Sequence, residues 1–104
     1  MTPPAVLTRR ARADLLAALR RIGADNLAAA AGLNDAVAAA ARHIGANPAI
    51  GARRPALASD RYRFWPMRRY GYLLVYTDQT QPPRIVRVVH MARDLPRLLA
   101  DLSD

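Results

Sequence analysis

Tyr70-Gly71-Tyr72-Leu73-Leu74-Val75-Tyr76-Thr77 runs into Asp78-Gln79-Thr80-Gln81-Pro82-Pro83 and then into Arg84-Ile85-Val86-Arg87-Val88-Val89-His90-Met91. Successive strand side chains point to opposite faces. In the first run Tyr70, Tyr72, Leu74 and Tyr76 therefore share one face, and Leu73 and Val75 the other. The last run is apolar on both faces, with Ile85, Val89 and Met91 on one and Val86 and Val88 on the other. A strand apolar on both faces belongs in the middle of a sheet. The Pro-bearing segment between the two runs reads as a turn, so they form an antiparallel pair.

Upstream, Arg61-Tyr62-Arg63-Phe64-Trp65 also alternates, and Pro66 ends this strand or confines it to a sheet edge. Before it lies a loop marked by Pro48, Gly51 and Pro55. Earlier still the period changes from 2 to 3.6. Ala11, Leu15, Ala18, Leu19 and Ile22 recur at helical spacing, with Thr8 as N-cap and Gly23 as a left-handed C-cap. Asp14 sits early, where the helix dipole favours it, while Arg9 and Arg10 oppose the dipole. A second helix starts at Asp25 or Asn26, carries the stripe Leu27, Ala30, Leu33, Val37, Ala40 and Ile44, and stops at Gly45, Asn47 and Pro48. Gly32 weakens its middle, and its many alanines permit close approach of another element. At the two ends, Ala5 to Leu7 reads as a short strand, and Asp94 with Pro96, Leu98, Leu99 and Leu102 as a short final helix.

These elements predict one α+β domain over residues 1–104, a two-layer β-α-α-β-β-β arrangement. A helical hairpin, from Thr8 to Gly23 and from Asp25 to Ile44, packs on one face of a mostly antiparallel sheet. The sheet contains the strands from Tyr62 to Trp65, Tyr70 to Thr77 and Arg84 to His90. The expected core is Leu15, Leu19, Ile22, Leu33, Val37, Ile44, Leu73, Val75, Val86 and Val88. The other sheet face has no evident cover in the chain, which makes a partner the expected cover.

Composition narrows the function. At 104 residues with 52% hydrophobic content, the chain can bury a core of its own. With no cysteine, disulfides, thiolate metal sites and cysteine nucleophiles are excluded. Two histidines on separate elements and no Glu predict neither metal nor cofactor. The apolar stretch from Leu27 to Ile44 is mostly Ala and broken by Asn34, Asp35, Arg42 and His43, so no membrane span is expected. No targeting segment is read before Arg9, and the cytoplasm is the expected location. The basic residues are 16 Arg against 8 Asp, a net charge of +8, which favours an acidic partner.

The chemistry-bearing candidates lie on the strands. His90 and Arg93 in His90-Met91-Ala92-Arg93-Asp94 could act as base and phosphate-binding cation in RNA cleavage. Against this stands a strand-end histidine held by Asp94 or a carbonyl, with Arg93 paired to a carboxylate. His43 near a helix end suits the dipole. The tyrosines interleave with Arg61, Arg63, Arg68, Arg69, Arg84 and Arg87. That pattern fits a peptide-binding face, a stacking platform for single-stranded nucleic acid, or an ordinary amphipathic sheet. No phosphate loop or nucleophile elbow is present.

Four segments together resemble the ParE toxins of the RelE/ParE type II toxin–antitoxin superfamily, the plasmid-stabilisation proteins. They are Leu7-Thr8-Arg9-Arg10-Ala11-Arg12-Ala13-Asp14-Leu15, Asn47-Pro48-Ala49-Ile50-Gly51, Arg69-Tyr70-Gly71-Tyr72-Leu73-Leu74-Val75-Tyr76 and Arg87-Val88-Val89-His90-Met91-Ala92-Arg93-Asp94-Leu95. The last is similar to an Arg-Val-x-His-x-x-Arg-Asp signature and is the most specific of the four. The resemblance implies the β-α-α-β-β-β fold and a toxin that poisons DNA gyrase by binding. It also implies neutralisation by a ParD-type antitoxin through an acidic C-terminal segment. The related RelE branch cleaves mRNA on the ribosome with additional basic residues and a C-terminal Tyr or His. After Arg93 this chain has neither Tyr nor His, so endoribonuclease activity through His90 and Arg93 is the alternative expectation. Partner contact is expected at Arg63, Arg68, Tyr70, Tyr72, Arg87, His90 and Arg93, with direct nucleic-acid binding secondary.

Overall fold

Thr8 and Asn26 start the two long helices by the same device. In the computed structural model, which describes residues 2–102, Thr8 is extended and its hydroxyl accepts from the Ala11 N–H at 3.2 Å, opening α1 (Arg9–Gly23). The Asn26 side chain accepts from the Ala29 N–H at 3.0 Å and opens α2 (Leu27–Ala46). Each cap satisfies an N–H that no helical carbonyl can reach, worth about 1 kcal/mol. Met1, Ser103 and Asp104 of the expected domain lie outside the described residues.

Helix α1 ends differently from the expectation. Ala24 stays right-handed, and its N–H and that of Asn26 bond to the Arg20 and Ile22 carbonyls. No left-handed glycine is used at Gly23; among the described residues only Gly71 has a positive φ, +73°. Asp14, expected to act on the dipole, lies in the second turn and serves the sheet instead. Leu27, expected in the buried stripe, is 80% exposed at the start of α2.

The sheet has β1 (Val6–Leu7), β2 (Tyr62–Met67), β3 (Tyr72–Thr77) and β4 (Arg84–His90) in the order β1-β4-β3-β2. Only β1–β4 is parallel. The α+β hairpin-on-sheet architecture is therefore as expected, with β4 central. Strand β2 continues through Pro66 at the sheet edge. Phe64 sends its N–H and C=O outward to Ala52, so the missing N–H of Pro66, two residues on, also falls on the outer side and no ladder bond is lost.

Two apolar clusters flank the sheet. The helix face gathers Ala11, Ala18, Leu33, Val37 and Ile44 against Met67, Tyr72, Leu74, Tyr76, Ile85 and Val88, with Leu15, Leu19 and Ile22 half-buried around them. The opposite face gathers Leu73, Val75 and Val89 with Phe64, Ala58, Leu99 and Leu102. This corrects three expectations. Leu73, Val75 and Val86 are not under the hairpin, and the tyrosines do not form an open face: Tyr72 and Tyr76 are buried beneath the helices. The face expected to await a partner is closed by the chain itself, through α3 (Leu95–Leu98), the 3-10 turn Ala100–Leu102 and residues 57–58.

For Val86 the physical reason sits in β4. Val75 opposes Arg87, yet Tyr76 opposes Ile85, which leaves Val86 as an extra residue. Such a bulge inverts simple alternation beyond it. Ile85 and Val88 then share the helix face, while Val86 and Val89 share the other.

The bulge also places Arg87 at the free edge of β4. Its Nε donates to Asp14 at 2.7 Å and its Nη1 to the Leu98 carbonyl at 3.2 Å; Asp14 also accepts from the Val88 N–H at 3.0 Å. Arg87 and Asp14 are 8% and 18% exposed, so screening is weak. On the far side, the Tyr76 hydroxyl donates to the Pro48 carbonyl at 2.7 Å and accepts from the Gly51 N–H at 2.8 Å, tying residues 48–51 to the core.

Removing one member of a buried pair strands the other charge. Asp14→Ala is expected to lower unfolding free energy by about 3 kcal/mol in urea titrations, and the double variant Asp14→Ala/Arg87→Met by clearly less. Burial raises the Tyr76 phenol above its ordinary value of 10.0. The folded state thus favours the neutral phenol, and its contribution is full below pH 10 and lost as pH rises through the folded value. Tyr76→Phe is expected to lose about 1–3 kcal/mol at neutral pH and to flatten the alkaline decline in stability, read by thermal melts against pH.

Candidate functional site

The C-terminal end of β4 meets the second half of α1 in a cleft of ≈ 490 Å³ lined by Arg21, Asp25, Tyr70, Tyr72, His90 and Arg93. Tyr72 and His90 are cross-strand partners, with their rings edge to face at 5.0 Å and 79°. The Tyr72 oxygen accepts from Arg21 Nη2 at 2.9 Å. His90 Nδ1 accepts from the Ala92 N–H at 3.1 Å, and the His90 carbonyl accepts from the Arg93 N–H at 3.1 Å. The neutral imidazole therefore carries its proton on Nε2. The ring is fixed by the turn after β4 and not by Asp94, as the sequence had allowed. The Arg93 guanidinium is exposed and has no ion-pair partner among the described residues.

Gly71 sits in the β2–β3 turn beside His90, where its carbonyl accepts from the Met91 N–H at 2.8 Å. A Cβ there would lie 3.6 Å from His90 Nε2, an ordinary contact. The requirement for glycine is thus the positive φ and not the space.

A second concavity, ≈ 560 Å³, runs between α2 and the edge strand. Ala36, Ala39, Trp65, Pro66 and Met67 give it an apolar floor, and His43, Arg68 and Arg69 stand around it with Asp35. Tyr70 forms one end. A Cβ on Gly32 would overlap the Tyr70 hydroxyl, so the glycine that weakens α2 is the one that admits this ring. The Arg69 guanidinium lies over the same ring, 5.7 Å from its centroid.

Of the candidate residues from the sequence, the fold brings Tyr70, Tyr72, His90 and Arg93 together and sets Arg68 beside Tyr70 on the groove. It does not bring Arg63 or Arg87 to a free surface. Arg63 donates to Asp78 at 2.7 Å and to the Gly51 carbonyl at 2.8 Å, holding the loop that Tyr76 also holds. Arg87 is the buried partner of Asp14. Sequence reasoning missed Arg21, whose link to Tyr72 spans 51 residues, and missed the α2 groove; only the alanine-rich outer face of α2 signalled it.

Among the described residues no three His, Asp or Glu side chains gather in a way that could hold a metal, and no helix is long and apolar enough to cross a membrane.

His90→Ala removes the acceptor for the Ala92 N–H and an edge-to-face contact. The expected loss is about 1–2 kcal/mol in denaturant titrations, with the fold retained.

No curated protein matches this sequence. Among solved structures, a chain of the chromosomal ParDE toxin–antitoxin system from P. aeruginosa superposes with a TM-score of 0.70 at 18% identity, covering 86% of this chain and 96% of that one. At that identity the likeness establishes a shared fold. The family model for the ParE toxin of the type II toxin–antitoxin system parDE matches residues 5–95, taking in both helices, the whole sheet and the turn that carries Arg93. The chain belongs to the ParE toxin family of type II toxin–antitoxin systems.

Proposed function

We propose that this ParE family member is a cytoplasmic toxin that acts by binding, that its target is DNA gyrase, and that a ParD-type antitoxin neutralises it. Family membership supports the target. The observation that carries the antitoxin reading is the groove between α2 and β2: an apolar floor of Ala36, Ala39, Trp65 and Met67 beside His43, Arg68 and Arg69, in a chain of net charge +8. An amphipathic segment with acidic flanks satisfies both features, its apolar side buried and its carboxylates meeting the arginines.

The cleft supports binding over acid–base chemistry. His90 is its one imidazole, and with Nδ1 accepting from Ala92 and the proton on Nε2 it has no free lone pair to take a proton. Strand cleavage needs one group to take a proton from the attacking hydroxyl and another to give one to the leaving oxygen.

Two assays run side by side test the proposal. Purified protein is expected to inhibit gyrase supercoiling and accumulate cleaved DNA, to leave ribosome-bound mRNA intact, and to lose its effect when a stoichiometric ParD-type antitoxin is added. Cut mRNA that depends on His90, with gyrase untouched, would establish the endoribonuclease alternative instead.

A further inference from the structure

The cleft and the groove differ in chemistry, and the difference points to a second ligand class. The groove is mainly apolar. Around the cleft, the groups free to act are almost all donors. Arg21 keeps N–H groups beyond the one given to Tyr72. The Tyr72 oxygen has accepted from Arg21, which leaves its hydrogen to donate. His90 presents Nε2–H, because Nδ1 is an acceptor for Ala92. Arg93 is exposed and without a carboxylate partner among the described residues. The one carboxylate in the lining, Asp25, is exposed. Donors converging from two strands and a helix on one concavity recognise an anion.

The cationic surface does not end at the cleft. Arg93 also lines a neighbouring depression with Asp94, Arg97 and Leu98, so a second exposed guanidinium, Arg97, continues the path. At the opposite end Tyr70 lines the cleft and is half-buried. A row of cations, Arg21, Arg93 and Arg97, matches the spaced phosphates of a nucleotide strand. A single carboxylate would use one seat and leave the others empty.

We propose that the Arg21–Tyr72–His90–Arg93 cleft seats a phosphate of single-stranded nucleic acid, with Arg97 taking a neighbouring phosphate. The site binds the strand without cutting it. This reading goes beyond the toxin's protein target and does not depend on which enzyme is poisoned.

The test is fluorescence anisotropy of a labelled oligothymidylate titrated with the full chain, repeated across salt concentrations and with no gyrase present. Arg93→Ala and Tyr72→Phe are each expected to weaken binding roughly tenfold. Arg93→Ala should also reduce the salt slope by about one, and Arg93→Lys should restore that slope. Arg42→Ala, an exposed arginine of α2 outside the cleft lining, should change affinity by less than about twofold. Thermal melts confirm that each variant is folded, and Arg93→Ala, at an exposed position, carries the test if Tyr72→Phe is not. Equal losses from Arg42→Ala and Arg93→Ala would reduce the effect to bulk charge and overturn the proposal. So would an acidic peptide that binds in an Arg93-dependent way while the oligothymidylate does not, since that result assigns the cleft to carboxylates. The gyrase assay is read separately, so either result stands without the other.

Discussion

The Asp14 carboxylate does three jobs at one point. It neutralises Arg87, accepts the Val88 N–H, and through Arg87 reaches the Leu98 carbonyl. The need arises from the sheet. Strand β1 pairs with only Arg84 and Ile85, so β4 would expose a free edge beyond them. The chain closes that edge stepwise: the Thr8 N–H donates to Ile85, and Asp14 then takes the Val88 N–H. An open strand edge invites pairing with another chain, and a carboxylate on the edge amide blocks it. The same pair anchors α1 to β4 and holds the C-terminal turn over the second core. The walls of the cleft beside it, Arg21 on α1 and His90 on β4, keep their spacing because those two elements are locked together.

The elements were largely legible from sequence because their signals are local. Thr8 and Asn26 act as caps, Pro66 sits on an edge, and β4 is central. The facing of the strands was not legible. Strands β3 and β4 are apolar on both sides, so the alternation shows two faces but not which one the hairpin covers. The bulge at Val86 then inverts the pattern, and nothing in Ile85-Val86-Arg87-Val88 announces it. The bulge separated Val86 from Val88, while the two apolar faces hid the placement of Leu73 and Val75, the buried tyrosines and the self-covered second face.

The site was half legible for a related reason. His90 and Arg93 lie close in sequence, and their turn is local. Arg63 and Arg87 looked like surface arginines among tyrosines, but their partners Asp78 and Asp14 come from other elements. Arg21 joined the site only through tertiary packing on Tyr72. Of the 16 arginines, Arg68 and Arg69 line one concave surface and Arg21 and Arg93 the other. One surface is apolar and suits a folded acidic segment; the other is a donor cleft that suits an anionic strand. Tyr70 lines both, so the two concavities adjoin.

One ion pair, Arg87 with Asp14, closes the β4 edge and holds the C-terminal turn. Amide hydrogen exchange at Val88, compared between the native chain and Asp14→Ala, measures this most directly. In the native chain the Val88 amide should exchange only through global unfolding. In the variant it should lose that protection, together with the Leu98 and Leu99 amides of the C-terminal turn, while the Leu74 and Val75 amides in the middle of the sheet still exchange with the global transition. Unchanged protection of Val88 in Asp14→Ala would contradict the claim.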